Sequence, residues 1–300
     1  PALFRTHSID KLRAIIYNNS DKVFSARMFA CAPHYLEACM QEKISLAGDL
    51  GSGKSTVSSL LVGRLGAEYY STGAIVRRIA ERRGMSVVEL NVYMETHPEI
   101  DREIDDGLRR LSDEKRGMII DSRMAWHFTR GTFRVYLSCD MSVSACRIMC
   151  AGRKGDCADR LDEMIEQVRA RRESERKRYH EKYGVNIKDL TNYDLIVDTT
   201  YATPEQVAAA VADGFDIWRR NPDYRAALIC PARLSYPDDP ADGDEVQRRA
   251  DILDTGGNIP PVSVQELDGE FYVVSEPESA LAYSLSDMTF VPCALLPGTP

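Results

Sequence analysis

Apolar positions along this chain fall into two rhythms. Compact runs at 44–47 (ISLA), 118–120 (MII), 133–137 (FRVYL) and 195–197 (LIV) have the length of buried strands. AEYYSTG, ending at Gly73, reads as a further strand and turn. Between these runs apolar residues recur three and four apart, as an amphipathic helix requires. This holds in KSTVSSLLVGRLG, closed by Gly66, in 74–83, and across 86–112 with a break near Pro98. Residues 142–183 read as helical apart from the charged, glycine-bearing AGRKGD, and Thr203 before Pro204 caps a last helix. Strand alternating with helix predicts a three-layer α/β domain with a mainly parallel sheet over 44–221.

The character changes after the NPDY turn at 221–224. Residues 225–300 hold the strand candidates RAALIC, PPVSVQEL and EFYVVS and helical patterns at 244–254 and 276–285, separated by Gly, Pro and Asp turns. They predict a small C-terminal α+β domain. At the other end, IDKLRAIIYNN and PHYLEACMQ predict a helical N-terminal extension over 1–43.

Composition narrows the function. A net charge of -8 argues against general attraction to nucleic acid or anionic lipid, so neither a nucleic-acid nor a membrane partner is expected. The 8 cysteines form no CxxC pair, which reads as reduced thiols in a cytoplasmic protein. No apolar run reaches membrane-spanning length, and the start lacks a basic-then-apolar secretory pattern. His97 and His127 each stand alone in sequence, which favours packing over metal or acid–base roles.

The strongest chemical signal is GDLGSGKS, which fits G-x-x-x-x-G-K-S and follows a strand and opens a helix, as a phosphate-binding loop must. Gly48, Gly51 and Gly53 let the backbone aim N–H groups inward, with Ser52 between them. The helix N-terminus adds unsatisfied donors for anionic phosphate. Lys54 reaches outer phosphates, the Ser55 hydroxyl is placed to hold a metal ion, and Thr56 follows. Asp121, ending the strand MIID, is a candidate for direct or water-mediated magnesium contact. Ser122 and Arg123 come next rather than a second acid, and no guanine-reading NKxD occurs, so hydrolytic ATPases and GTPases are disfavoured.

A kinase for a phosphorylated acceptor must hold two anions end to end and exclude water. Arginines occur where that demands them. Arg77 follows STG at a strand-to-helix turn, and Arg123 stands at the carboxyl end of a strand, where α/β proteins bind ligands. Either can clamp a phosphate in bidentate fashion. Arg171, Glu175 and Arg178, spaced i, i+4, i+7, share a helix face. The stretch with Arg147, Arg153 and Lys154 suits a lid over the phosphates.

With those blocks in view, residues 44–212 resemble the cytidylate kinase-like family, in its short archaeal form. The resemblance runs through GSGKST, STGAIVRRIAERRGMS, DREID, MIIDSRMAWHF, FRVYLSCD, RRESERKRYHEKYGVNIKDLTNYDLIVDT and TPEQV. It implies a P-loop kinase fold that transfers the γ-phosphoryl of ATP, with Mg2+, to CMP or dCMP. It further implies that Ser71, Arg77 and Arg123 hold the acceptor, and that Arg171, Glu175, Arg178 and the lid arginine Arg153 close over the phosphates. Lys54, Arg123, Arg171, Arg178, Arg153 and Asp121 form the expected catalytic set. Two alternatives stay open: a kinase for another small-molecule acceptor, and a nucleotide-binding regulatory or interaction protein with lost turnover.

Residues 229–296 resemble, more weakly, a ParB-like or sulfiredoxin-like domain. The phosphate-handling residues of that fold would fall within 275–279, where this chain reads SEPES. The resemblance therefore implies a non-catalytic module, suited to homodimerisation or to a regulatory contact.

Overall fold

The computed structural model of the chain describes residues 43–151, 160–238 and 241–297. The expected N-terminal helices lie outside the described residues, as does Arg153. The chain divides into two compact units, with the break between Tyr193 and Asp194. The α/β class expected from the strand–helix alternation is present.

In the first unit, β1 (Lys43–Gly48) is buried at every position and lies parallel to its neighbours on both sides. Then come α1 (Lys54–Leu65), β2 (Glu68–Ser71), α2 (Thr72–Arg82), α3 (Val87–Thr96) and α4 (Pro98–Arg110). They are followed by β3 (Met118–Asp121), α5 (Ala125–Phe128), β4 (Thr132–Ser138), α6 (Met141–Cys150) and α7 (Leu161–Tyr183). The strand order is β2-β3-β1-β4, all parallel. Gly48, Ser71, Asp121 and Ser138 therefore all come to the carboxyl edge of one sheet.

Local chemistry sets these boundaries. Gly53 and Gly66 bracket α1 in left-handed conformations, and Ser71 caps α2 by accepting from the Ala74 N–H at 3.2 Å. Ser86 and Glu89 form a reciprocal capping box on α3, and Pro98 opens α4, so the expected break there is real. Long α7 buries Met164 and Val168 against Leu50 and Ala145, then continues along the same stripe with Arg172, Glu175 and Tyr179. Its inward face thus turns from apolar to charged halfway along.

The second unit begins with β5 (Leu195–Asp198), α8 (Pro204–Arg220) and β6 (Ala226–Ile229), a right-sized β–α–β unit with β5 and β6 parallel. Next are β7 (Leu234–Ser235), α9 (Gly243–Asp254), β8 (Val262–Leu267), β9 (Glu270–Ser275), α10 (Pro277–Leu285) and β10 (Val291–Leu296). Their sheet order is β5-β6-β10-β8-β9-β7. The β8–β9 hairpin turns through Asp268 and Gly269, both at positive φ, as a two-residue turn requires. The sequence placed its change of character at 221–225. Within the later compact unit, β5 pairs in parallel with β6, and α8 connects them.

β10 was not among the expected strands, and it contains Pro292, which cannot donate to a ladder. It is nevertheless flanked by β6 and β8, with pairing to β8 beginning at Cys293, one residue after the proline. Among the described residues no helix is long and apolar enough to cross a membrane.

Candidate active site

The loop after β1 depends on glycine at two points. A Cβ on Gly48 would lie 2.4 Å from the Leu137 carbonyl oxygen, and one on Gly51 would lie 2.6 Å from that of Ser144. Both also have positive φ, so the loop packs against β4 and α6 in a path other residues cannot follow. Inside it, Asp49 N–H donates to Leu137 O at 2.9 Å, and the Ser52 hydroxyl donates to Asp49 O at 2.8 Å. Among the described residues no side chain caps α1, which leaves its first-turn N–H groups available to an anion. Ser55 and Thr56 are exposed on that first turn.

Lys54 lies along this loop, its Nζ donating to Gly48 O at 2.9 Å and Asp49 O at 2.7 Å. Arg123, from the loop after β3, donates to the same Gly48 carbonyl and pairs through Nε with Glu175 at 3.1 Å. Two cations therefore crowd one acceptor. Burial, and then Arg123, push the Lys54 ammonium down to about 7, against the opposing pull of Asp121, Asp49 and Glu175. Burial works against the Arg123 charge too, but Glu175 and the other nearby acidic groups prevail and its pKa is raised.

The remaining expected residues gather in part. Glu175 also pairs with Arg171 at 3.4 Å, and Arg171 is more exposed than its partner. Arg178 donates to the Tyr179 hydroxyl at 3.2 Å and packs over that ring. Burial raises the Tyr179 hydroxyl, with Arg178, Glu175 and Arg123 all close enough to act on it. Arg123, Glu175, Arg178 and Tyr179 thus form one cluster. On the neighbouring strand end, Tyr69 donates to Asp121 Oδ2 at 3.0 Å. Arg77 Nη1 and Ser71 Oγ both overhang Gly73, within 3.5 Å and 3.8 Å of where its Cβ would be. Ser71 Oγ meanwhile serves as the α2 cap.

Sequence reasoning missed the residues beneath the loop. Asp49 is only 3% exposed, yet it is ionised and surrounded by donors. Its Oδ1 accepts from Lys188 Nζ at 2.6 Å and the Tyr136 hydroxyl at 2.8 Å, and its Oδ2 accepts from Cys139 N–H at 3.0 Å. Arg172 lies 3.8 Å away. Burial opposes the charge, but Lys188 and Arg172 hold the carboxyl well below the usual carboxylate range. The one available signal was an acid in a free position of the glycine loop, straight after a buried strand.

A glycine cradle with two cations at its mouth and an uncapped helix start fits a polyphosphate. Among the described residues no cluster of three His, Cys, Asp or Glu side chains could by itself hold a metal ion. Ser55 and Asp121, the residues expected to serve magnesium, therefore do not form such a cluster by themselves.

The class this fold and site define is a P-loop protein with cationic groups converging on a phosphate loop. Residues 43–201 match the cytidylate kinase-like family, and the chain belongs to it. The cytidylate kinase of Thermoplasma acidophilum is 34% identical over 191 residues, covering 62% of this chain and 99% of that protein. That of Halobacterium salinarum is 35% identical over 195 residues, covering 64% and 99%. Among solved structures, sulfiredoxin from Arabidopsis thaliana aligns to 25% of this chain and 86% of its own, at 21% identity and a TM-score of 0.23. Family membership carries a phosphotransfer function of the cytidylate-kinase-like kind.

Proposed function

We propose that the protein transfers the γ-phosphoryl of ATP to a pyrimidine nucleoside monophosphate, CMP or dCMP, giving ADP and the diphosphate. The observation that carries this is Arg123, which links the phosphate loop through Gly48 O to the helix-borne Glu175, and so stands between donor and acceptor sides. Gly48, Gly51, Ser52, Gly53, Lys54, Ser55 and Thr56 cradle the donor phosphates. Ser71, Arg77 and Arg123 hold the acceptor phosphate so that its oxygen lies in line. Arg171 and Arg178, oriented by Glu175, offset charge that spreads over the transferring group. Magnesium, when bound through Ser55 and water, with Asp121 alongside, supplies further charge neutralisation. The acceptor is already an ionised phosphate, so no strong general base is required.

In the C-terminal unit, Arg249 Nη1 donates to Glu276 Oε2 and to Ser279 Oγ, both at 2.6 Å. A carboxylate of the chain itself thus satisfies the cation beside the SEPES turn. This supports a non-catalytic role for the unit.

The deciding experiment is ADP formation from ATP and magnesium against CMP, dCMP, UMP, AMP, GMP and TMP, with a no-acceptor control. CMP- or dCMP-dependent turnover that falls about a hundred-fold in Arg123→Ala is expected. ATP binding without turnover on any acceptor would overturn the reading.

A further inference from the structure

The cluster under the phosphate loop has no part in the chemistry just described. G-x-x-x-x-G-K-S leaves its second position free, yet here that position holds a buried carboxylate with four partners from three separate segments. A negative charge beneath a phosphate cradle opposes anion binding unless it is outweighed. Lys188 and Arg172 outweigh it, leaving a net positive charge under the loop. Arg172 retains donor capacity, since its buried Nε has no hydrogen-bond partner among the described residues.

The same contacts have a mechanical side. Asp49 O accepts from both Lys54 Nζ and Ser52 Oγ, so moving Asp49 moves the lysine. Arg172 and Glu175 lie one turn apart on α7, and each ties that helix to the loop, Arg172 through Asp49 and Glu175 through Arg123 and Gly48. Ser144 on α6 closes the third side by donating to Leu50 O. Loop and helix are thereby joined at two successive points.

We propose that Asp49 is a positioning residue for phosphoryl transfer: with Lys188 and Arg172 it anchors the phosphate loop to α7 and sets the net charge beneath the donor phosphates. The proposal rests on the kinase reading for its kinetic consequences, but its charge argument applies to nucleotide binding alone. Removing the carboxylate and removing its partner must therefore have opposite effects. A purely structural role would move both affinities the same way.

The test is calorimetric titration of the full-length protein with ADP and magnesium, paired with melting curves and CMP-dependent kinetics. Asp49→Asn should tighten ADP by about three-fold, and Lys188→Met should weaken it by a similar factor. Lys188→Arg should keep the wild-type affinity, and the Asp49→Asn/Lys188→Met double variant should return to within about two-fold of it. Asp49→Asn should also lower kcat at least about ten-fold while leaving KM for CMP unchanged. Should Asp49→Asn fail to fold, the contrast between Lys188→Met and Lys188→Arg decides alone. Shifts of the same sign, or none, would overturn the proposal. Because the titration needs no acceptor, a protein that binds ADP as described but phosphorylates nothing would sink the kinase reading and leave this one standing.

Discussion

Buried charge is arranged differently in the two units. Around the phosphate loop, Arg123, Arg172 and Lys188 converge from distant parts of the chain on two acids, Asp49 and Glu175, while Lys54 donates to the Asp49 carbonyl. In the C-terminal unit each of two arginines is shared by two carboxylates. Fully buried Asp198 accepts from Thr200 and from Cys230 N–H, with Arg233 at 4.0 Å. Arg233 also forks onto Glu270 at 3.1 Å and donates to Gly269 O, and Arg249 is shared by Glu245 and Glu276. An arginine already held between two of the chain's own carboxylates is satisfied without an anionic ligand. An excess of one sign beside an open helix N-terminus is a site for the opposite sign.

That contrast can be broken experimentally, and the largest effect belongs to the phosphate loop. Lys54→Ala should lower kcat about a thousand-fold or more with little change in melting temperature, because its ammonium acts on charge that develops in the transition state. A loss explained by unfolding would place Lys54 with the structural charges instead. The converse holds for Arg233→Met, which strands Asp198 at the centre of the second unit. It should cost about 3 kcal/mol of stability by denaturant titration, with KM for both substrates unchanged in the folded protein.

A third measurement turns on the crowding of Lys54. Its pKa near 7 stems from burial and from Arg123, and bound phosphate would restore the charged form. Nucleotide binding should then take up a proton near and above pH 7. Affinity should be greatest below that pKa and decline by up to about ten-fold per pH unit above it. Calorimetry in two buffers of different ionisation enthalpy reads the uptake directly, and Lys54→Arg should abolish it.

The smallest effect is expected at Glu276, which holds φ at 60° before α10 while its carboxylate binds Arg249. Glu276→Gly relieves about 1 kcal/mol of backbone strain and forfeits an ion pair of comparable worth. Melting temperature and turnover should both stay close to the wild type.

Much of the first unit was legible along the chain, for a local reason. A phosphate loop is a run of eight residues whose glycine-permitted backbone N–H groups, lysine ammonium and serine hydroxyl act from adjacent positions, so spacing identifies it. The helix start at Thr203, in the second unit, was equally local, since a capping side chain bonds within three residues. The α7 charges were harder. Their i, i+4, i+7 spacing drew attention to Arg171, whereas the turn of the helix brings neighbouring Arg172 toward Asp49 and leaves Arg171 more exposed. Helical periodicity states which residues share a face, but not which face is inward. β10 was not read from the sequence, and its place in the sheet is set by pairing with the distant β6 and β8.

Sequence alone determined the phosphate-loop pattern at Gly48 to Ser55 and the likeness to α/β phosphotransfer proteins, because those signals are carried by adjacent residues. Only the tertiary structure decided that Asp49 is a buried anion held by Lys188, 139 residues away, and that Arg123 spans loop and helix. The reason is physical. A carboxylate is worth burying only where donors from other segments converge on it, and that convergence exists only once the strands have paired and α7 has packed against the loop.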